Sequence, residues 1–543
     1  MSPALKTAIV WGLGGFALLQ TILVVFVHYS CEGYYYRAFL PGYALGIPER
    51  EAAAGMKPIT ALGWDAQCYY YQSNDLLARR DARLHIDNPM YRYQRIGVPL
   101  MAGTLAGVFG YELTPPFLYH TLQTFLTAAG FGILVYWLQV QKLSPLYAFA
   151  WLLAGGTTHS LLYGMPDPVG DAFFALAFCS LLSRRMVLFA AAATMLVLIR
   201  EGYVLLPATV WLLTALGRFP WSDERGYMRR LAILAVPGVV LIGWTVYLTW
   251  QLGVSPIEAR KGSPLTDWPF IGFVKCLRMM WRTGNYYELK LIFPTIISLV
   301  VISVAMLRHF RKSWALAACM PYVLLTTMLG TTIWETYAGH MKANGTILML
   351  GMFLLPLEKG VLLRFVLAMQ VVAGGYVLLL NKVELAPFFA PASAANIQLL
   401  ERPATGPEYV VVGDRRSSIE WIDRKDVLRR QYQGPLKAVH RELVPISVAV
   451  TNHTDQPLET GPNRRAVRLG SILYKADGRS VLSIVRTAID RPIMPGETRK
   501  VTVQLELGKP RKFVLQLSLV QDPNDWFFHT DPKYGARYEF EGQ

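Results

Sequence analysis

Ala8-Ile9-Val10-Trp11-Gly12-Leu13-Gly14-Gly15-Phe16-Ala17-Leu18-Leu19-Gln20-Thr21-Ile22-Leu23-Val24-Val25-Phe26-Val27-His28 contains no Asp, Glu, Lys or Arg. A helix needs about 20 apolar residues to cross a hydrocarbon core of ~30 Å, and this run supplies them. It is too long for a signal-peptide core of ~7–15 residues, and no small-residue cleavage site follows. The stretch therefore reads as a retained membrane anchor, with Lys6 before it. Ten further apolar runs lie near 116–139, 145–163, 168–183, 186–200, 203–217, 231–252, 289–308, 314–333, 341–357 and 360–380.

Composition agrees. Of 543 residues, 53% are hydrophobic and 17% charged, whereas a soluble chain carries about 25% charged residues. Mean hydropathy is +0.31. The net charge of +16 does not point to nucleic acid, because the basic residues gather at the ends of apolar runs, as the positive-inside rule requires. Five cysteines show no Cys-x-x-Cys metal spacing. Cys31 and Cys68 share the first loop and could pair if that loop faces an oxidising compartment.

The connections between runs are of two alternating kinds. Lys142, Arg184-Arg185, Arg218 through Arg229-Arg230, Arg308 with Arg311-Lys312, and Lys359 mark basic ones. Met165-Pro166-Asp167-Pro168, Arg200-Glu201-Gly202 and Trp334-Glu335-Thr336-Tyr337 mark ones nearly free of Lys and Arg. Successive crossings produce such alternation, so the basic connections are expected on the cytoplasmic side. For Lys6 to agree, the short run Val98–Gly110 must be re-entrant or interfacial. The expectation is a mainly α polytopic bundle of about 11 spans plus that helix.

One outward segment, 254–288, breaks the charge rule with Arg260, Lys261, Lys275, Arg278 and Arg282. From Trp268 to Arg282, Lys275, Arg278 and Arg282 recur at helical spacing among Phe270, Phe273, Val274, Leu277 and Trp281. A basic amphipathic helix of this kind belongs at the headgroup layer. It is either a plain anchor or a ledge for a lipid phosphate.

After Leu380 the character changes. Residues 382–407 read as a Pro/Ala-rich linker and 408–543 as a soluble domain. Period-two runs such as Ile446-Ser447-Val448-Ala449-Val450 alternate with turn signals at Asn452-His453-Thr454-Asp455, Asp477-Gly478 and Pro495-Gly496. This pattern predicts an extracytoplasmic β-sandwich. The domain division is then 1–381 membrane-embedded, with 29–97 as its first extracytoplasmic loop.

Chemistry concentrates in a few places. Trp64-Asp65-Ala66-Gln67-Cys68-Tyr69-Tyr70-Tyr71 sets a carboxylate among aromatics. Glycosyl transfer from a lipid phosphate needs one base for the acceptor hydroxyl and cations for the departing phosphate, not the carboxylate pair of a glycosidase. Asp65 suits the base and the aromatics suit sugar stacking. The plainer reading is a helix-capping Asp65 beside interfacial tyrosines. In Tyr91-Arg92-Tyr93-Gln94-Arg95, the two arginines share a face if the stretch is helical, and guanidinium groups match phosphate oxygens in bidentate fashion. Asp167 fits an N-cap before Pro168, with Asp171 one turn deeper, pointing into the bundle. Arg200-Glu201 joins two runs so short that its apex lies below the membrane surface, which implies a water-filled cavity or a self-neutralising pair closing a hairpin. Glu335, His340 and Lys342 occupy the last outward turn, as phosphate neighbours or as ordinary loop polarity.

These residues resemble the GT-C superfamily of polytopic glycosyltransferases, which use polyprenyl-phosphate sugars and carry an essential Asp in the first extracytoplasmic loop. Asp65 is the matching position. Asp65-x-Gln67-x-Tyr69-Tyr70, the Tyr91–Arg95 tract followed by Pro99, Asp167-Pro168 and Arg200-Glu201 look like a bacterial membrane family tied to cell-surface glycopolymer formation. The likeness covers about residues 1–360, with Ala66 where such families often carry glycine. It implies inverting transfer without metal or cofactor, from a polyprenyl-phosphate sugar to a glycan or glycolipid hydroxyl, at the outer face of a cytoplasmic membrane. Asp65 would be the catalytic base. Gln67, Tyr70, Arg92, Arg95, Asp167, Asp171, Arg200, Glu201, Glu335, His340 and Lys342 would bind substrate. The C-terminal domain looks like Ig-like modules of carbohydrate-handling proteins. Two rival readings fit the same residues: a glycolipid transporter or flippase, and a non-catalytic assembly scaffold with a glycan-binding sandwich.

Overall fold

The computed structural model describes residues 2–42, 45–58, 63–218, 226–259, 265–283, 286–334, 336–358, 360–388, 409–412, 417–421, 442–452, 457–458, 467–475, 481–507, 512–521, 525–526 and 536–541. Glu335, Arg260, Lys261, Lys359, the 389–407 part of the expected linker and the Asp477-Gly478 turn lie outside the described residues, as do residues 453–455 of the Asn452 turn.

The chain is mainly helical. Among the described residues five helices are long and apolar enough to cross a membrane: Pro3–Ser30, Pro116–Val140, Tyr227–Leu252, Leu291–Lys312 and Val361–Leu378. Their outward faces carry Val10, Leu13, Val239, Ile242, Val246, Trp250, Val300 and Val372, all exposed. Bare apolar surface on this scale suits hydrocarbon rather than water.

The other apolar runs form shorter pieces. Residues 145–163 divide into Pro145–Ala148, Phe149–Leu152 and Gly155–Leu162. Residues 314–333 divide into Trp314–Thr327 and Thr331–Trp334, and 341–357 are interrupted at Asn344 before Gly345–Leu354. Asp167–Leu182 and Met186–Ile199 form a tight antiparallel hairpin. The helix Gly97–Val108 has 12 residues and so spans only about 18 Å at 1.5 Å per residue.

The chain divides into two compact units. The first comprises Met1–Phe26, Met90–Trp250 and Ser255–Asn381; the second comprises Val27–Pro89, Gln251–Val254 and Lys382–Gln543. In the first, Phe131, Trp151, Phe174, Phe178 and Phe189 are almost wholly buried. Phe178 meets Phe353 with ring centres 4.3 Å apart, so aromatic packing joins the hairpin to the broken helix after Asn344.

In the second unit, the helix Asp65–Ser73 buries every residue after Asp65. Its Cys68 thiol faces Asp87 Oδ1 at 3.7 Å. Cys31 and Cys68 are both buried free thiols, so the suggested disulfide is not formed. The C-terminal part holds two antiparallel sheets. One orders Tyr409–Val412, Ser417–Trp421, Glu442–Asn452 and Thr498–Leu507. The other orders Val481–Thr487, Val467–Lys475 and Lys512–Gln521, with Asp525–Trp526 and Ala536–Glu541 also paired to the last of these. Leu469 and Leu473 stand opposite Leu519 and Leu515, all buried, and this same-face alternation fixes the register. The Pro495-Gly496 turn is formed with Gly496 at φ +76°, a region open to glycine without penalty.

Candidate functional site

The hairpin Asp167–Leu182/Met186–Ile199 explains the first contact. Two helices of nearly equal length joined by a short turn bring the end of one beside the start of the other. Arg200, which ends the second, therefore meets Asp167, which begins the first: Nη1 lies 2.6 Å from Oδ1. Pro168 fixes the helix start with its missing N–H where no partner is needed. The preceding turn is held by Gln123, whose Nε2 donates to the carbonyls of Gly164 at 3.0 Å and Met165 at 3.1 Å.

Arg200 is extended, with φ −157° and ψ 129°, and a short 3-10 turn Glu201–Val204 follows. Successive residues around an extended position project to opposite sides. Arg200 and Glu201 accordingly do not close on each other, as a self-neutralising hairpin pair would. Glu201 instead takes the fork of Arg95, Nε to Oε2 at 2.8 Å and Nη2 to Oε1 at 2.9 Å. Two parallel N–H···O bonds are the arrangement that a guanidinium, unlike an ammonium, can make with a carboxylate.

Arg95 reaches Glu201 because Gly97 permits close packing. A methyl group at Gly97 would lie 2.7 Å from Ile199 Cγ1, so the start of Gly97–Val108 sits against the end of Met186–Ile199. Arg92 and Arg95 do not share a helical face. The helix Pro89–Tyr93 ends between them, and Arg95 follows in a turn whose N–H donates to Arg92 O at 3.0 Å. Tyr91 touches both: its hydroxyl accepts from Arg95 Nη2, and the Arg92 guanidinium lies 5.4 Å from its ring centre.

Asp171 lies one helical turn beyond Asp167 and is buried. It accepts from Tyr203 Oη at 2.7 Å, Thr346 Oγ1 at 2.9 Å and Trp151 Nε1 at 3.2 Å. Three donors from three elements compensate a carboxylate that hydrocarbon alone would not tolerate. Gly345 leaves room for it, since a side chain there would overlap Asp171 Oδ2.

Some of these residues line a cavity of about 270 Å³. Tyr91, Arg95, Arg200 and Glu201 form its polar side; Leu265, Leu325, Leu329, Ile333 and Ile347 form its apolar side; Tyr203, Tyr322 and Thr346 lie between. The lining carries two arginines and one carboxylate, Glu201, and Asp167, paired to Arg200 from outside the lining, brings the cluster to zero. Among the described residues Arg200 donates to Asp167 only, so most of its five-donor fork has no protein partner. The cavity can therefore present N–H donors to an anion beside a surface for alkyl chain. Among the described residues no three His, Cys, Asp or Glu side chains gather as a metal cage would require.

Other sequence candidates are placed elsewhere. His340 is buried, its Nδ1 3.1 Å from Thr295 Oγ1 and its ring stacked on Trp334; neither it nor Lys342 lines the cavity. Glu335 lies outside the described residues. Asp65, Gln67 and Tyr70 belong to the second unit. Asp65 opens its helix and is half-buried. Gln67 is buried and accepts from the Gly42 N–H at 2.9 Å. Tyr70 stacks on Phe39, ring centres 4.5 Å apart, and Tyr69 and Tyr71 are wholly buried. These aromatic faces are spent inside the protein rather than offered to a sugar.

Tyr203, Thr346 and Trp151 were not among the sequence candidates, being neutral residues inside or beside apolar runs. Tyr203 carried one signal, its place directly after Arg200-Glu201-Gly202. No protein-family model, no characterised protein and no solved structure matches this chain.

Proposed function

We propose that the protein is an inverting glycosyltransferase of GT-C type that moves a sugar from a polyprenyl phosphate to an acceptor hydroxyl. One observation carries the reading: two ion-paired arginines face an apolar wall across a single cavity. A lipid phosphodiester has the same division, an anion at one end and a hydrocarbon chain at the other.

In the proposed reaction an acceptor oxygen attacks the anomeric carbon as the bond from that carbon to the phosphate oxygen breaks. The phosphate leaves with the bonding electrons, and its added charge falls to Arg200 and Arg95. Preorganised donors of this kind need little rearrangement when charge develops. Asp65 takes the proton of the acceptor hydroxyl, an assignment that rests on the sequence argument. Glu201 and Asp167 hold the two guanidinium groups in place, and Asp171 fixes Tyr203 and Thr346 in the wall. The family likeness would also give Gln67, Tyr70, Arg92, Glu335, His340 and Lys342 substrate contacts, with no cofactor required, although the Tyr70 and His340 rings are stacked inside the protein and Lys342 does not line this cavity.

The finer architecture belongs to the same proposal. The five membrane-length helices and six shorter or broken runs together make about eleven crossings of a cytoplasmic membrane. The Gly97–Val108 helix is re-entrant, and the C-terminal sheets pack as an extracytoplasmic β-sandwich. The test is Asp65→Asn in detergent-purified, monodisperse protein supplied with a polyprenyl-phosphate sugar. Loss of a general base lowers transfer by about 100- to 10,000-fold. Transfer at the unaltered rate would rule out Asp65 as the base.

A further inference from the structure

The segment after Leu265 performs two tasks that the transfer reaction does not use. Residues 265–270 run along the gap between Trp314–Thr327 and Thr331–Trp334. Gly330 N donates to Leu265 O at 2.8 Å, Asp267 N to Met328 O at 2.9 Å and Phe270 N to Thr327 O at 2.6 Å. Backbone groups released by the helix break are thereby satisfied. Phe270 has φ +64°, a left-handed conformation that a bulky residue adopts only under strain. The helix Ile271–Thr283 starts from this clamp.

Its inner stripe is accounted for. Gly272, Cys276 and Met280 are buried, with Phe273 and Leu277 half-buried, against Leu329, Trp334 and Ile292. Its outer stripe is not polar, as a solvent-facing helix would be. Ile271, Val274, Lys275, Arg278 and Trp281 recur at i, i+3, i+4, i+7 and i+10, all exposed. Trp281 is 69% exposed, and Trp268 and Phe270, just before the helix, are 79% and 60% exposed. Lys275 is tied to Asp267 at 2.7 Å. Membrane-length helices precede and follow this segment, at Tyr227–Leu252 and Leu291–Lys312.

We infer that the outer stripe of Ile271–Thr283 docks into the headgroup layer of the bilayer, with Arg278 selecting anionic phospholipid. Tryptophan and aliphatic side chains enter the interface while the cations meet headgroup phosphates. A protein partner is the poorer fit, because the aromatics and the cations are interleaved along one narrow stripe. Since the inner stripe packs on Leu329, itself part of the cavity wall, docking fixes the depth at which that wall meets the lipid. The inference concerns lipid contact alone and stands whether or not the cavity transfers sugar.

The experiment uses the full-length chain in nanodiscs of phosphatidylcholine with and without phosphatidylglycerol. A cysteine introduced by Trp281→Cys, or by Trp268→Cys should the first variant misfold, is labelled with an environment-sensitive fluorophore. Four native cysteines are buried and the fifth half-buried, and the unmutated protein measures any background labelling. Nitroxide-bearing lipids should quench the probe and aqueous iodide should not. Nitroxide phosphatidylglycerol should quench it at about fivefold lower lipid fraction than nitroxide phosphatidylcholine, the preference that one basic residue near an anionic surface confers. Arg278→Gln should bring the two lipids together. Quenching by iodide but not by lipid would overturn docking. Equal quenching by both lipids in the Arg278 protein would overturn anion selection. None of these readings requires turnover, so failure here is distinguishable from failure of the transferase assignment.

Discussion

Arg95 and Glu201 offer the sharpest test of how the cavity is built. Their side chains are 10% and 23% exposed, so the pair is largely dry yet borders a cavity that admits water. Removing one partner of a fully sealed pair costs about 3–5 kcal/mol. The cavity lets water reach a stranded guanidinium, and Glu201→Gln should accordingly cost about 2–4 kcal/mol. Arg95→Lys keeps the charge but can replace only one of the two bonds at 2.8 and 2.9 Å. One lost charge-assisted bond is worth about 1.5–3 kcal/mol, so the lysine variant should fall between wild type and Glu201→Gln.

The double variant Arg95→Leu with Glu201→Leu removes both members of the pair together. Its destabilisation should be smaller than the sum of the two leucine singles by about 2 kcal/mol, within the range seen for residues in direct contact. The assay is unfolding in mixed micelles at increasing denaturing-detergent fraction, followed by helical circular dichroism. Sugar transfer is measured on the same samples. The double variant should be less destabilised than the two singles together predict and should show no transfer, because an apolar pair can fill the space but cannot receive a phosphate. Additivity of the singles within about 0.5 kcal/mol would refute the ion pair. Transfer by the double variant would refute the role of Arg95.

Three other perturbations follow from the same geometry. Asp171→Asn turns one acceptor into a donor, so one of the Tyr203, Thr346 and Trp151 donors loses its partner; the cost is about 1–3 kcal/mol, read in the same micelle titration. Gly345→Ala places a methyl group against Asp171 Oδ2 and should cost about 1–3 kcal/mol as overpacking; thermal stability equal to wild type would mean that the two helices separate easily there. Glu51, in the loop before Asp65, is buried and accepts from Asn74 Nδ2 at 2.7 Å. Burial pushes its carboxyl above the ordinary range, with the Asn74 bond opposing. The folded state then binds this proton more tightly than the unfolded state, so its contribution to stability falls as pH rises from the usual glutamate value of about 4.3 through the raised folded value. Glu51→Gln should flatten that part of the melting-temperature profile, and an unchanged slope would remove Glu51 as its source.

Sequence made the membrane character legible because a run of about 20 apolar residues has few alternatives. It also marked Asp167, Asp171, Arg200 and Glu201, since ionisable groups inside apolar runs are costly and demand a reason. The pairing was not legible. Glu201 could have closed on Arg200 beside it, and only the extended backbone at Arg200 sends it to Arg95, distant in sequence. Helicity through Arg92 and Arg95 failed for a related reason: the chain turns after Tyr93 to let Gly97 approach Ile199. The tyrosines after Asp65 read as a sugar platform because a short polar helix in a loop is normally half-exposed. Here the helix Asp65–Ser73 is surrounded, and tertiary packing takes up the ring faces.

The interruptions of the apolar runs carry more information than the runs themselves. A continuous helix satisfies its own backbone within hydrocarbon, whereas a broken one leaves N–H and C=O groups that only protein or a water-lined cavity can meet. Three breaks supply lining residues to the same cavity: Arg200 and Glu201 at the first, Leu329 between Thr327 and Thr331, and Thr346 just after Asn344. The second is satisfied by residues 265–270, and the groups around Asp171 are satisfied by one another. A bundle whose only task was to span the membrane would gain nothing from three interruptions around one space. Beyond the cavity, Gln370 Nε2 donates to Ser298 Oγ at 2.7 Å and to Pro294 O at 3.1 Å. In the proposed reaction the three breaks together build the chamber that would hold a lipid-borne anion beside the two arginines.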